Sequence, residues 1–169
     1  MSTQSHPELV AAVQALVGKL CWGIVAGSGT GSVVDFLIGA MIPLATPLTN
    51  PHLSPEVRNN DSELGVFVKC AWRLDGPNAV VAGCWDSNEA GGPMLSGLSQ
   101  IEGQVITRAV VVSVGLDLEL GFAGGHSLRV FCDQTNSVDD DDNYAVLMPD
   151  LVVTVGCRSV VRTRPRSKG

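Results

Sequence analysis

A chain of 169 residues with 45% hydrophobic and 17% charged side chains is long enough to bury one core and too apolar to stay disordered. Its net charge of −6 is uneven: the last twelve residues hold five of the eleven Lys and Arg, and residues 1–157 hold the other six against all seventeen acids. An acidic body of this kind disfavours nucleic acid, whose phosphates need clustered cations, and leaves only the basic tail, residues 158–169, as a candidate contact for it or for an acidic surface. That tail otherwise reads as a frayed, solubilising terminus.

Taken in chain order, Pro7 to Val17 reads as a helix. Pro7 suits the first turn, Glu8 complements the positive N-terminus, Gly18 ends it, and Leu9, Val10, Val13, Leu16 and Val17 recur at helical spacing. Beyond Gly18 the pattern turns to strands. Cys21 to Ala26 and Val33 to Ile38 flank Gly27-Ser28-Gly29-Thr30-Gly31-Ser32, which reads as a hairpin. Pro43, Pro47, Pro51 and Pro55 mark residues 40–62 as an irregular insertion, and insertions on a scaffold often carry function. Strands resume over 64–74 and 79–85, with Gly76-Pro77-Asn78 as the turn, and Met94 to Leu98 offers one helical turn. The remainder reads as strands near 104–113, 116–122, 127–132, 144–148 and 151–157. Leu116, Leu118 and Leu120 alternate with Asp117 and Glu119, and Gly124-Gly125 makes a turn.

Two stretches share a pattern. Leu16-Val17-Gly18-Lys19 and Ile101-Glu102-Gly103-Gln104 stand 85 residues apart, as do Gly39 and Gly124; Val66 to Cys70 resembles Leu128 to Cys132, and Val80 to Cys84 resembles Val153 to Cys157. The expectation is a single domain, mainly β with α+β at the margin. Its antiparallel sheets come from pseudo-repeats 16–86 and 101–157, which share one core beside one N-terminal helix.

The residues offer little chemistry. The Gly27–Ser32 run lacks the lysine of a Walker loop and is followed by a strand-like segment, not a helix. His6, His52 and His126 have no zinc-helix spacing, no Gly-x-Ser-x-Gly elbow exists, and the five cysteines lack C-x-x-C spacing and sit in apolar runs. No catalytic residue, metal ligand or cofactor site is therefore assigned. Asp139, Asp140, Asp141 and Asp142 read as a solvated loop without a structural metal, because adjacent carboxylates point apart, or as an acidic patch for a basic partner. Trp72-Arg73 and Trp85 lie at the ends of adjacent strands, and Trp with Arg is hot-spot composition, with core packing as the alternative. The candidate partner-binding residues are thus Trp72, Arg73 and Asp139 to Asp142. The absence of a visible signal peptide or membrane span points to a cytoplasmic protein with reduced thiols.

The stretch Leu98 to Cys132, with Leu-x-x-Ile-x-Gly, then Leu-Asp-Leu-x-Leu-x-Phe, a Gly-Gly turn and Leu-Arg-Val-Phe-Cys-Asp, resembles small bacterial proteins of unknown function that are similar to the immunity-type domains found beside toxin genes. The resemblance implies a non-catalytic binding protein, an immunity or regulatory partner, and brings no catalytic residues with it. The alternative is a small enzyme or small-molecule binder with its site between the two halves. Homo-oligomerisation is left open.

Overall fold

A computed structural model describes residues 5–112, 114–136 and 142–167. In chain order the elements are α1 (Pro7–Gln14), β1 (Leu20–Val25), β2 (Val34–Pro43), α2 (Pro55–Asn59), β3 (Asn60–Val68), β4 (Ala71–Asp75), β5 (Val80–Gly83), α3 (Pro93–Leu98), β6 (Gln104–Val112), β7 (Asp117–Phe122), β8 (Ser127–Phe131), β9 (Asp142–Leu147), β10 (Leu151–Gly156), a single 3₁₀ turn (Cys157–Ser159) and β11 (Val161–Pro165). The protein is mainly β, as its alternating sequence demands: eleven strands form one antiparallel sheet in the order β11-β10-β9-β3-β2-β1-β6-β7-β8-β4-β5.

Period-two patterning sets which face is buried. Val34, Phe36 and Ile38 of β2, Leu64, Val66 and Val68 of β3, Trp72 and Leu74 of β4, Leu118 and Leu120 of β7, Leu128 and Val130 of β8, and Tyr144 and Val146 of β9 all enter one cluster. The sheet therefore folds back on itself around a shared core. The turning point is Lys69-Cys70, where β3 passes into β4 and both backbone N–H groups donate to the carbonyl of Asn143, at 2.9 and 3.1 Å. Leu9, Val13 and Leu16 of the first helical segment and Met94 and Leu98 of α3 complete the cluster.

The two halves of the sheet meet at a short junction. Only Leu20 with Val105 and Cys21 with Gln104 pair β1 with β6. Around them Gly18 N–H donates to Ile106 O at 2.7 Å and Gly103 N–H to Cys21 O at 2.7 Å. Both glycines lie in the left-handed region, with φ of 83° and 85°, where a side chain is strained. From this junction the order runs outward alike on both sides, β1-β2-β3-β9-β10 and β6-β7-β8-β4-β5. Each half contributes a meander, and its final hairpin pairs with the meander of the other half. Shared strand order does not by itself establish a repeated sequence unit, and the offset drifts from 85 at the glycines to 62 between Cys70 and Cys132.

Three expectations are corrected. Gly39 does not end its strand: β2 runs on to Pro43 through an irregularity between Ile38 and Met41, whereas the segment at Gly124 is a turn. The insertion is shorter than 40–62, because 40–43 belong to β2 and 60–62 to β3, and what leaves the sheet, 44–59, contains α2. Ser54 caps that helix by accepting from Val57 N–H, with Pro55 at its first turn. The described part of the C-terminal tail is not frayed. Residues 161–165 pair with β10 over five positions. The Arg166 side chain is only 7% exposed; its guanidinium donates to Ser62 O, Glu63 O and Met148 O and pairs with Asp61 at 3.1 Å. The cationic tail is held by backbone carbonyls that need donors.

Candidate functional site

The expected Trp72–Arg73 patch does not form. Alternation along β4 sends the two side chains to opposite faces. Trp72 is 2% exposed and its indole Nε1–H donates to Ser32 O at 2.8 Å, so the core reading holds for it. Arg73 faces outward, donating from Nε and Nη2 to both oxygens of Asp75 at 2.7 and 3.1 Å, with its guanidinium carbon 5.6 Å from the centre of the Phe131 ring. The fork holds the Asp75 carboxyl below its ordinary range and pushes the Arg73 guanidinium up. Asp75 and Glu119 also pair with Arg129, and Glu119 with Arg108. Charge thus alternates across the outer face of β4, β8, β7 and β6. Asp139, Asp140 and Asp141 lie outside the described residues. Asp142 begins β9, 4.0 Å from Arg162.

The exposed aromatic is Trp85, at 97%. Its position follows from a tight turn beyond β5: Gly83 N–H donates to the Asp86 carboxylate at 2.8 Å and Asp86 N–H returns to Gly83 O at 3.1 Å. Cys84 N–H still donates to Trp72 O at 3.1 Å, and Trp85, next along the turn, is held in solvent. It borders an open groove of about 430 Å³ with Arg73, Val80, Val81 and Phe131. A second hollow of about 190 Å³ includes Ser32, Lys69, Cys70, Trp85, Asp133 and Gln134. The signal in the sequence was the place of Trp85 just past a strand and before a polar loop, where alternation no longer turns it inward.

A second site lies beneath 44–59, on the face of β1–β2–β3 away from the main core. Trp22, Leu37 and Val57, with Val25 and Leu53, form a separate small cluster there. Gly23 makes room for it: a β-carbon at Gly23 would lie 3.1 Å from Leu37 and 3.5 Å from Val57. On one side of this pillar a polar hollow of about 370 Å³ includes His52, Glu56 and Glu102. On the other, a hollow of about 380 Å³ is lined by Val25, Leu37, Leu44, Leu48, Leu53 and Val57, with Asn60, Asp61 and Asp35 at its polar end. Burial pushes the Asp35 carboxyl up to about 6, helped by Asp61 and opposed by Arg166. Sequence reading missed Asp35. One acid in phase with Leu37 looks like the solvated face of a strand, and only the overlying segment partly covers that face.

The remaining candidates have ordinary roles. In the Gly27–Ser32 loop, Thr30 exchanges hydrogen bonds with Gly27, and the Asn88 side chain donates to Gly27 O and Gly31 O. The loop closes the antiparallel β1–β2 pair, as expected of a hairpin. The histidines have separate neighbours: His6 lies 3.9 Å from Glu8, His52 borders the polar hollow, and His126 Nε2 is 2.9 Å from Gln100. Cys21 and Cys70 are buried, and Cys132 is half-buried; none of these three is in a disulfide. The β4–β8 register carries Cys70 opposite Cys132. Contact with Cys70, then burial, pushes the Cys132 thiol up, and burial pushes Cys21 up to about 12. Among the described residues no group of three or more His, Cys, Asp or Glu is placed to hold a metal ion, and no helix is long and apolar enough to cross a membrane.

The motif residues Leu98, Ile101, Leu118, Leu120, Phe122, Leu128 and Val130 are core positions, and Gly103 is a left-handed turn. Comparison of the chain with protein-family models, with curated proteins and with solved structures finds no match.

Proposed function

We propose that this protein is a non-catalytic binding protein that docks a basic protein partner on the surface around Trp85, as an immunity or regulatory partner would. The observation that carries the reading is Trp85 itself. A tryptophan 97% exposed leaves a large apolar area in water, and burying it against a partner returns about 25 cal/mol for each Å² covered. Arg73 and Phe131 beside it complete the composition of a binding hot spot. The sign of the partner rests on the net charge of −6, since at the two hollows that meet at Trp85 the acids Asp86 and Asp133 are matched by Arg73 and Lys69. The rival reading, a catalytic cleft between the halves, has less to draw on. The hollow that both halves line between Ser32 and Gln134 is about 190 Å³, below the range of about 300–1,000 Å³ usual for ligand pockets, and the larger one that Phe131 shares with the first half is the open groove at Trp85 itself.

The test compares Trp85→Ala with the parent chain as bait in a lysate of the native host, followed by binding kinetics with the purified prey. The expected result is a protein with a basic surface that is retained by the parent chain, held about 2 kcal/mol more weakly by W85A, and slower to associate as salt rises. Equal capture by both baits, or a salt-independent rate, would reject the reading. The side chain is exposed, so the variant keeps its melting temperature.

A further inference from the structure

We infer that the hollow beneath residues 44–59 is a binding site for a small organic cation, an amine with an apolar body, whose ammonium group sits on Asp35. The site is independent of the Trp85 surface.

The first observation is an uncompensated carboxylate. Asp35 stands in the middle of β2, with Val25 of β1 on one side and Phe67 of β3 on the other. Among the described residues nothing donates a hydrogen bond to its carboxylate, and no cation lies within ion-pairing distance. The nearest candidate, Arg166, is committed elsewhere: its guanidinium is taken by Asp61 and by three backbone carbonyls. Asp35, Asp61 and Arg166 together leave one negative charge unbalanced. Asp35 is half-buried; a carboxylate partly withdrawn from water without a partner is costly, and such groups, set in a cavity, mark functional sites.

The second observation is the shape and lining of the hollow. Its volume of about 380 Å³ lies in the range of ligand pockets. The walls are Val25, Leu37 and four residues of the overlying segment, Leu44, Leu48, Leu53 and Val57. Acid is confined to one end. An anion would be repelled there, and a hard divalent cation would lack the six to eight oxygens that calcium takes. A neutral apolar molecule would leave Asp35 unpaired. An ammonium group on an apolar body answers both features: it gives the carboxylate an opposite charge and donors and fills the leucine-lined space.

The third observation is what the sequence spends on the site. Gly23, paired with Leu37 in the neighbouring strand, leaves room for two of the wall residues, Leu37 and Val57. The segment above carries a capped helix and three leucines facing the hollow.

The probes are n-hexylamine and phenethylamine, with 1-hexanol as the neutral analogue, titrated into the full chain at pH 8 and followed by calorimetry and by methyl NMR. The expected result is at least tenfold tighter binding of an amine than of the alcohol, with shifts and intermolecular NOEs at Val25, Leu48 and Val57. Asp35→Asn should abolish that preference, leaving amine and alcohol within about twofold of each other. Equal binding of amine and alcohol to the parent chain would overturn the inference. So would an amine preference that survives D35N, NOEs to residues elsewhere, or no binding of either amine at 10 mM, a concentration about tenfold above a millimolar dissociation constant. The NOEs are read on the parent chain, so the site is tested whether or not D35N folds.

Discussion

Replacing Asp35 by Asn should stabilise the protein, and the gain should depend on pH in a defined way. An unfolded aspartate ionises near 3.8, and in the folded chain burial raises that value to about 6. The folded state therefore binds this proton more tightly than the unfolded state. Stability from the group is fully present below 3.8 and is lost as pH rises through about 6. The interval is roughly two pH decades at about 1.4 kcal/mol each, so ionised Asp35 costs up to about 3 kcal/mol at pH 8 and about 0.5 kcal/mol at pH 4. Asn keeps the shape and cannot ionise. D35N should exceed the parent chain by up to about 3 kcal/mol at pH 8, with about 2 kcal/mol or more of that gain vanishing by pH 4. For a chain of this length a gain of about 3 kcal/mol at pH 8 is a rise of about 6–12 °C in melting temperature. Urea unfolding of both proteins at pH 4, 5, 6, 7 and 8 reads it directly. A difference that stays constant over the series, or a D35N less stable than the parent at pH 8, would mean that the carboxylate has a stabilising partner and is not stranded in the hollow.

The other expectations concern the frame. Trp72→Ala should cost about 3–5 kcal/mol, because it empties a fully buried site and orphans Ser32 O; a loss below 1 kcal/mol in urea unfolding would contradict the core placement. Arg166→Ala should destabilise by about 2–4 kcal/mol, since it removes the partner of Asp61 and donors to three carbonyls, and a neutral effect would argue that β11 is not docked. In native protein, Cys21 and Cys70 should resist a thiol reagent at pH 8 until urea is added, because both are buried; rapid native labelling of either, read by mass spectrometry, would contradict their packing. Filling the Gly23 site with Gly23→Val should dislodge the 44–59 segment, because the new side chain meets Leu37 and Val57. Protection of Arg58 N–H, which donates to Ser54 O, would fall in hydrogen exchange, and unchanged protection would sink the account of the pillar.

Local pattern was enough for the strands and their inward faces. Leu118, Leu120 and Phe122 alternate with polar neighbours, and each is buried in β7. Gly18 and Gly103 announce matching left-handed turns because glycine adopts φ near 84° without the strain a β-carbon brings. The alternation in Ala71-Trp72-Arg73-Leu74 already implied that Trp72 and Arg73 point apart, and the hot-spot reading set that period aside.

What only the tertiary structure decided is which of two equivalent-looking faces is covered, and by what. Asp35 and Leu37 share the outward phase of β2, and no local pattern distinguishes a face open to water from one roofed by residues 44–59. The last residues, Val161 to Arg166, read as a charged tail because charge dominates a local count. They are ordered by the unpaired edge of β10 and by the carbonyls of Ser62, Glu63 and Met148, two of them more than a hundred residues away. Burial and hydrogen-bond satisfaction are sums over the whole chain. A sequence determines them, but only through contacts that exist once the sheet has closed.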